Sequence, residues 1–130
     1  MGFAAFRDHK YLCLETFKKS GEGVKTPVWF AADPASDLDA NDARLYIYTI
    51  GNTGKVKRVR NNPRVNIAPC TIKGAPRGEF VVAAAVIITG EEAARAMNLL
   101  NKKYFPWKQL LAFFALFSRR KRVVMVIRPA

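Results

Sequence analysis

The chain has 130 residues, half of them hydrophobic, and its 22 basic and 10 acidic side chains give a formal net charge of +12. That length can bury a real core as one domain over residues 1–130, and the apolar and aromatic content excludes general disorder. The charge points to an anionic partner, and nucleic acid, lipid and a cofactor phosphate are all open at this stage.

With two cysteines and one histidine, the usual ligands of a zinc cluster are missing. Cys13 and Cys70 have neither CxxC nor disulfide-like spacing and read as small buried hydrophobes in a reducing cytosol. The start MGFAAFRDHKY has no charged segment followed by a sustained apolar one, so no secretory signal is expected. Phe6 stands where a myristoylation pattern needs Ser or Thr. The longest apolar run, QLLAFFALF at 109–117, is far short of the roughly 20 residues of a spanning helix. A soluble cytoplasmic protein is the expectation.

KYLCLETF (10–17) is rich in β-formers and predicts a first strand, closed by the turn signal KKSGEG. VKTPVWFAA (24–32) predicts a second, in hairpin with the first. Pro27 would delete a ladder donor, which suggests a strand edge or a bulge there. DPASDLDAND (33–42) carries four acids and a proline and reads as an exposed turn. RLYIYTI (44–50) predicts a third strand, with Leu45, Ile47 and Thr49 alternating against Tyr46, Tyr48 and Ile50. Residues 53–62 place Val56 and Val59 three apart among basic side chains, a short helix that Pro63 stops. RVNIAPC (64–70) and FVVAAAVIITG (80–90) predict the fourth and fifth strands. Thr89 and Glu92 have capping-box spacing, and Ala93, Met97, Leu100 and Tyr104 recur at helical spacing to about residue 104. PWKQLLAFFALF predicts a further short helix, over 105–117, and RVVMVIR (122–128) the last strand. Six strands in mostly sequential order with attached helices predict a mainly β, antiparallel barrel.

No side-chain catalytic constellation is present: there is no GxSxG, no HExxH, and no cysteine with an obvious histidine partner. His9 reads as a surface residue. Glu15, a lone carboxylate in an apolar strand, reads as facing water on an edge. If the protein is an enzyme, a bound group carries the reaction. TGKVKRVR (53–60) follows a strand and opens a helix, where free N–H groups favour an anion. Thr49, Asn52, Thr53 and Gly54 could supply hydroxyls and close backbone approach. Lys55 and Arg58, three apart, share a face and could clamp phosphate oxygens. A solvated basic helix is the alternative. TPVWF (26–30) could offer a flat wall to a ring system or simply pack in the core. Basic and aromatic residues together also suit single-stranded nucleic acid, although SRRKR (118–122) reads as a solvated turn.

The segments GVKTPVWFAAD, RLYIYTIGNTGKVKRVRNNPRVNIAPCTIKGAPRG and RVVMVIRP resemble the split β-barrel flavin and deazaflavin oxidoreductases. This is the superfamily of pyridoxamine 5′-phosphate oxidase, and the likeness is to its F420-dependent branch. It runs from about Lys10 to Pro129, and its most specific elements are TPVWF, GKVKRVR and PRVxxAPC followed by KGxPRG. The resemblance implies a six-stranded split barrel and a homodimer with cofactor sites at the interface. It implies FMN or coenzyme F420 as cofactor, and hydride transfer to or from a small organic substrate. It also implies that the strand with Lys25, Thr26, Pro27, Val28 and Trp29 runs along the ring. Tyr48 and Thr49 would lie near the ribityl chain and phosphate, and Lys55, Lys57 and Arg58 would hold the phosphate. The helical reading favours Lys55 and Arg58 over Lys57, which it turns aside. The acidic loop 33–42 is longer than the family's usual turn, and no pattern identifies a pyridoxal phosphate substrate. Two other readings stay in play: a non-catalytic flavin or haem carrier on this fold, and a nucleic-acid-binding barrel.

Overall fold

The computed structural model of the protein describes residues 3–50, 54–103 and 122–130. Within them six strands form a closed antiparallel barrel: β1 (Tyr11–Phe17), β2 (Gly23–Ala32), β3 (Leu45–Ile50), β4 (Arg64–Cys70), β5 (Val81–Ile88) and β6 (Arg122–Pro129). Their order around the barrel is β1-β2-β3-β6-β5-β4, and β4 returns to β1. Helix α1 (Gly54–Asn61) links β3 to β4, and α2 (Gly90–Lys103) links β5 to the segment before β6. The barrel and these elements are as expected, with ends shifted by a residue or two. The helix expected at 105–117 lies outside the described residues, as does SRRKR apart from Arg122 at the start of β6.

Strand periodicity of two builds the interior. Leu12 and Leu14, Val28 and Phe30, Leu45 and Ile47, Val65 and Ile67, Ala83 and Ala85, and Met125 and Ile127 all point inward and are buried. Consecutive strands β3 and β4 are not neighbours, so α1 carries the chain across, packing on β1 and β5. Its Val56 and Val59 enter the same core as Ala83 and Ala85. The small β5 side chains leave volume that the two valines fill. Phe6 stands edge-to-face on Phe3 and on Phe30, with ring centroids 5.9 Å apart in each pair.

On the outside, α2 covers Tyr46, Val124 and Val126 with Ala96, and Ala31 with Leu100. Ala93 and Met97 pack at the margin of this face as their spacing predicts. Ala96, fully buried, is the position the periodicity did not single out.

Two polar expectations need correction. The acidic segment is not simply an exposed turn, because Asp33 is 2% and Leu38 8% exposed. Asp33 is drawn in by the Tyr46 hydroxyl (2.9 Å) and the guanidinium groups of Arg44 (2.9 Å) and Arg95 (2.8 Å), all on Oδ2. Glu15 is not on an edge, since β1 pairs with β2 on one side and β4 on the other. It is half-buried and accepts a hydrogen bond from Asn66 Nδ2 at 2.9 Å.

Candidate functional site

The second strand is paired unevenly. Residues 30–32 bond to β3, whereas 23–29 pair with β1 alone. Pro27 falls in the singly paired stretch, where a missing N–H is tolerated, so the edge expected from the sequence is there. Beside this edge opens a cleft of about 340 Å³. Pro27, Val28 and Trp29 form one wall, Tyr48 and Thr49 another, and Lys55 stands with them. Tyr11 and Ile72 also line it.

Strand alternation explains who faces what. Pro27 and Trp29 project outward, while Val28, 7% exposed, gives most of its side chain to the core and borders the cleft with the remainder. On β3, Tyr48 projects outward toward Trp29, their centroids 6.0 Å apart and their planes tilted by 59°. Such a pair offers extended π surface to a planar group. Thr49 is buried, and its hydroxyl has no hydrogen-bond partner among the described residues.

The cationic end of the cleft is made by the first turns of α1. Lys55 is half-buried, and its ammonium is pulled below the ordinary lysine range first by burial and then by the charge of Arg58. Neither cation has an acidic partner among the described residues. Arg58 Nε–H donates to Thr16 Oγ1 at 2.6 Å, which swings the guanidinium back over the helix start. A Cβ at Gly54 would lie 2.5 Å from one of its terminal nitrogens, so glycine there leaves the room this group occupies. No acid stands in the first turn of α1, the place where a helix macrodipole favours negative charge. Two cations and a helix N-terminus therefore stand together with no acid among the described residues to neutralise them.

Of the other expected residues, Lys25 is exposed and lies over the Phe80 ring at 4.8 Å. Thr26 is half-buried, Lys57 is exposed, and none of these three lines the cleft, nor do Gly54 and Arg58; Lys55 is the α1 residue in the lining, with Arg58 beside it. Asn52 and Thr53 lie outside the described residues. Tyr11 and Ile72 were not anticipated. Tyr11 reaches the cleft because it pairs with both Trp29 and Cys70, a consequence of barrel closure. Ile72 is delivered by the loop after β4. There the Gly74 N–H bonds the Thr71 carbonyl (2.9 Å) and Arg77 N–H the Pro69 carbonyl (2.7 Å). Gly74 takes φ +89°, a conformation that requires the glycine of KGxPRG.

The remaining chemistry-bearing groups are quiet. Among the described residues no three His, Cys, Asp or Glu side chains gather as a metal site. Cys13 and Cys70 are buried, as expected. Burial pushes both thiols up, Cys70 to about 11, which leaves them unreactive. His9 is not in the cleft lining. No helix among the described residues is long and apolar enough to cross a membrane.

The barrel and its uneven β2 edge define a split-barrel protein. The chain belongs to the pyridoxamine 5′-phosphate oxidase family, whose model matches residues 3–130. No curated protein matches significantly. Among solved structures, the haem storage protein HutZ of Vibrio cholerae is similar, with a TM-score of 0.69 at 11% identity, over 100% of this chain and 92% of that one. Protein Atu2129 of Agrobacterium tumefaciens gives 0.68 at 16% identity over 93% of this chain. The chain spans only 48% of that protein's length. An F420-H2-dependent reductase, FDR-A, gives 0.58 at 16% identity, over 92% of this chain and 94% of that one. At such identities the likeness is one of fold, shared by reductases and by a haem-storing protein.

Proposed function

We propose that the protein is a flavin- or deazaflavin-dependent oxidoreductase, binding FMN or coenzyme F420 in the cleft beside β2 and acting on a small organic substrate. The reading is supported above all by Lys55, which lines one end of a cleft with an aromatic wall, and by Arg58 beside it, neither with an acidic partner among the described residues. Half-buried like charges are costly unless a counter-charge arrives, and a cofactor phosphate would supply it.

In this assignment Lys55, Arg58 and the α1 N–H groups at Gly54 hold the phosphate. Tyr48 and Thr49 flank the chain that joins phosphate to ring. The strand from Lys25 through Thr26, Pro27 and Val28 to Trp29 borders the ring, and Lys57, exposed on α1, adds long-range attraction. The bound cofactor would supply hydride transfer; the protein would supply position and exclusion of water. No side chain is assigned a catalytic role. A homodimer with the cleft at its interface, working in the cytoplasm, completes the proposal.

The likeness to HutZ favours a second reading, a non-catalytic flavin or haem carrier. His9 is the sole histidine and stands apart from the cleft lining, so a haem held there would lack the commonest axial ligand. A nucleic-acid-binding barrel is the third reading, and it predicts affinity that falls steeply with salt. The test is a fluorescence titration of the purified protein with FMN and, separately, with oxidised F420. Saturable binding of one, followed by its turnover with an electron acceptor, supports the enzyme. Binding without turnover favours the carrier, and binding of neither overturns the assignment.

A further inference from the structure

A second concavity, of about 720 Å³, lies at the other end of β1 and α1. The cofactor cleft touches Tyr11 and Lys55, whereas this groove touches Phe17 and Asn61. Six residue steps along β1 part Tyr11 from Phe17, roughly 20 Å at about 3.3 Å per residue. Along α1 the step from Lys55 to Asn61 is shorter, roughly 9 Å at about 1.5 Å per residue, and the two concavities are told apart by linings that share no residue.

The lining is amide and cation. Asn61, Asn62 and Asn66 come from the end of α1 and the start of β4, and Lys18 and Lys19 from the β1–β2 turn. Arg64 stands between the asparagines. Among the described residues no acid lines the groove, and the nearby ones are engaged elsewhere. Glu22 pairs with Lys18 at 3.1 Å, and Glu15 accepts from Asn66 Nδ2. Asn62 Oδ1 accepts the Arg64 N–H at 3.1 Å, which leaves the Asn62 NH₂ to donate elsewhere. Lys19 and Arg64 have no acidic partner among the described residues. The C-terminus of α1 carries about half a negative charge, but Arg60 in its last turn already offsets that, so both cations are in excess.

We infer that this groove is a second anion site, for a small ligand carrying two or more phosphate or carboxylate groups. Arg64 offers a planar fork of donors, Lys19 a mobile point charge, and the asparagine amides neutral donors between them. Spaced donors of this kind suit separated anionic groups better than a single one. The groove touches one aromatic ring, Phe17, which is too little stacking surface to favour single-stranded nucleic acid.

The experiment uses the full chain with Lys55→Ala and Arg58→Ala in place, so that the cofactor cleft is silent. Pyrophosphate and citrate are titrated separately, by calorimetry and by NMR of the asparagine side-chain amides. At least one should bind saturably and shift Asn61 and Asn62. Adding Lys19→Ala and Arg64→Ala should weaken it at least about tenfold; both sites are exposed, and a thermal melt checks that the fold is retained. Pyrophosphate binding alone assigns phosphate chemistry, and citrate binding alone assigns carboxylate. Equal affinity with and without Lys19 and Arg64 overturns the inference, as does no saturation below about 10 mM. Tighter binding of an oligothymidylate than of either small anion overturns it too.

Discussion

Two regions of this barrel hold charge away from water, and they hold it in opposite ways. At the end of β2, Asp33 accepts from the Ala35 N–H, Tyr46, Arg44 and Arg95, so the anion is answered inside the fold. At the start of α1, Lys55 and Arg58 stand together with no acid among the described residues to answer them. The first arrangement ties the 33–44 loop and α2 to the barrel. The second leaves an electrostatic cost that a bound anion can relieve. Paired charge of the first kind serves stability, and cations without an acidic partner beside a cleft are the observation on which the proposed ligand site rests.

If that contrast is right, the two regions should fail differently. The largest effect is expected at Asp33. Asp33→Ala should cost about 3 kcal/mol of stability by denaturant unfolding, the low end for a broken buried pair. It is the low end because the Arg95 side chain is 54% exposed and water can take over its charge. Cofactor affinity should be unchanged; a large affinity loss at full stability would reverse the roles of the two regions.

The pH profile sharpens this. Burial alone would raise the Asp33 carboxyl, but the Ala35 N–H, the Tyr46 hydroxyl, Arg44 and Arg95 outweigh it and hold it below the usual range. A carboxylate depressed in the folded state adds stability above its unfolded value of about 4, and that contribution disappears as pH falls through the folded value. Melting curves between about pH 2.5 and 6 should show that acid limb, and Asp33→Asn should flatten it. A limb unchanged in the variant would place the titrating group elsewhere.

Lys55 carries the opposite sign. Its folded value is lowered, so protonated Lys55 costs stability at neutral pH, and the cost fades as pH rises through that value. Lys55→Met should stabilise the cofactor-free protein by no more than about 1 kcal/mol while weakening cofactor binding about tenfold. Loss of stability on this substitution would mean that Lys55 has a partner within the fold. The smallest effect belongs to Gly54→Ala, which displaces the Arg58 guanidinium rather than any backbone. It should lower affinity by about 0.5–1 kcal/mol, the scale of an off-rotamer side chain, with stability no lower. Equal affinity would show that the guanidinium position over Gly54 is immaterial.

Much of this architecture was legible because periodicity writes it directly. Alternation in LYIYTI separates Leu45 and Ile47 from Tyr46 and Tyr48, and Val56 with Val59 marks the inner face of α1. Pro27 announced a singly paired edge, and the cleft opens there. What stayed hidden depends on closure. Tyr11 enters the cleft only once β4 pairs back to β1, and Ile72 only once Gly74 turns its loop. In sequence Asp33 looks like its three neighbouring acids, because one of the arginines that bury it lies far along the chain at position 95. Helical spacing was enough to turn Lys57 aside; only the fold revealed that Arg58 also stands outside the cleft lining and bends back over Gly54.

The central claim is that Lys55 and Arg58 bind the phosphate of the cofactor. It is tested by measuring the affinity of whichever cofactor the titrations identify alongside that of its dephosphorylated counterpart, in the native protein and in the Lys55→Ala, Arg58→Ala variant. The native protein should prefer the phosphorylated form by more than about 2 kcal/mol, the scale of two charge-assisted hydrogen bonds, and the variant should lose that preference while still binding the dephosphorylated form. A preference that survives intact in the variant would contradict the account and move the phosphate away from α1.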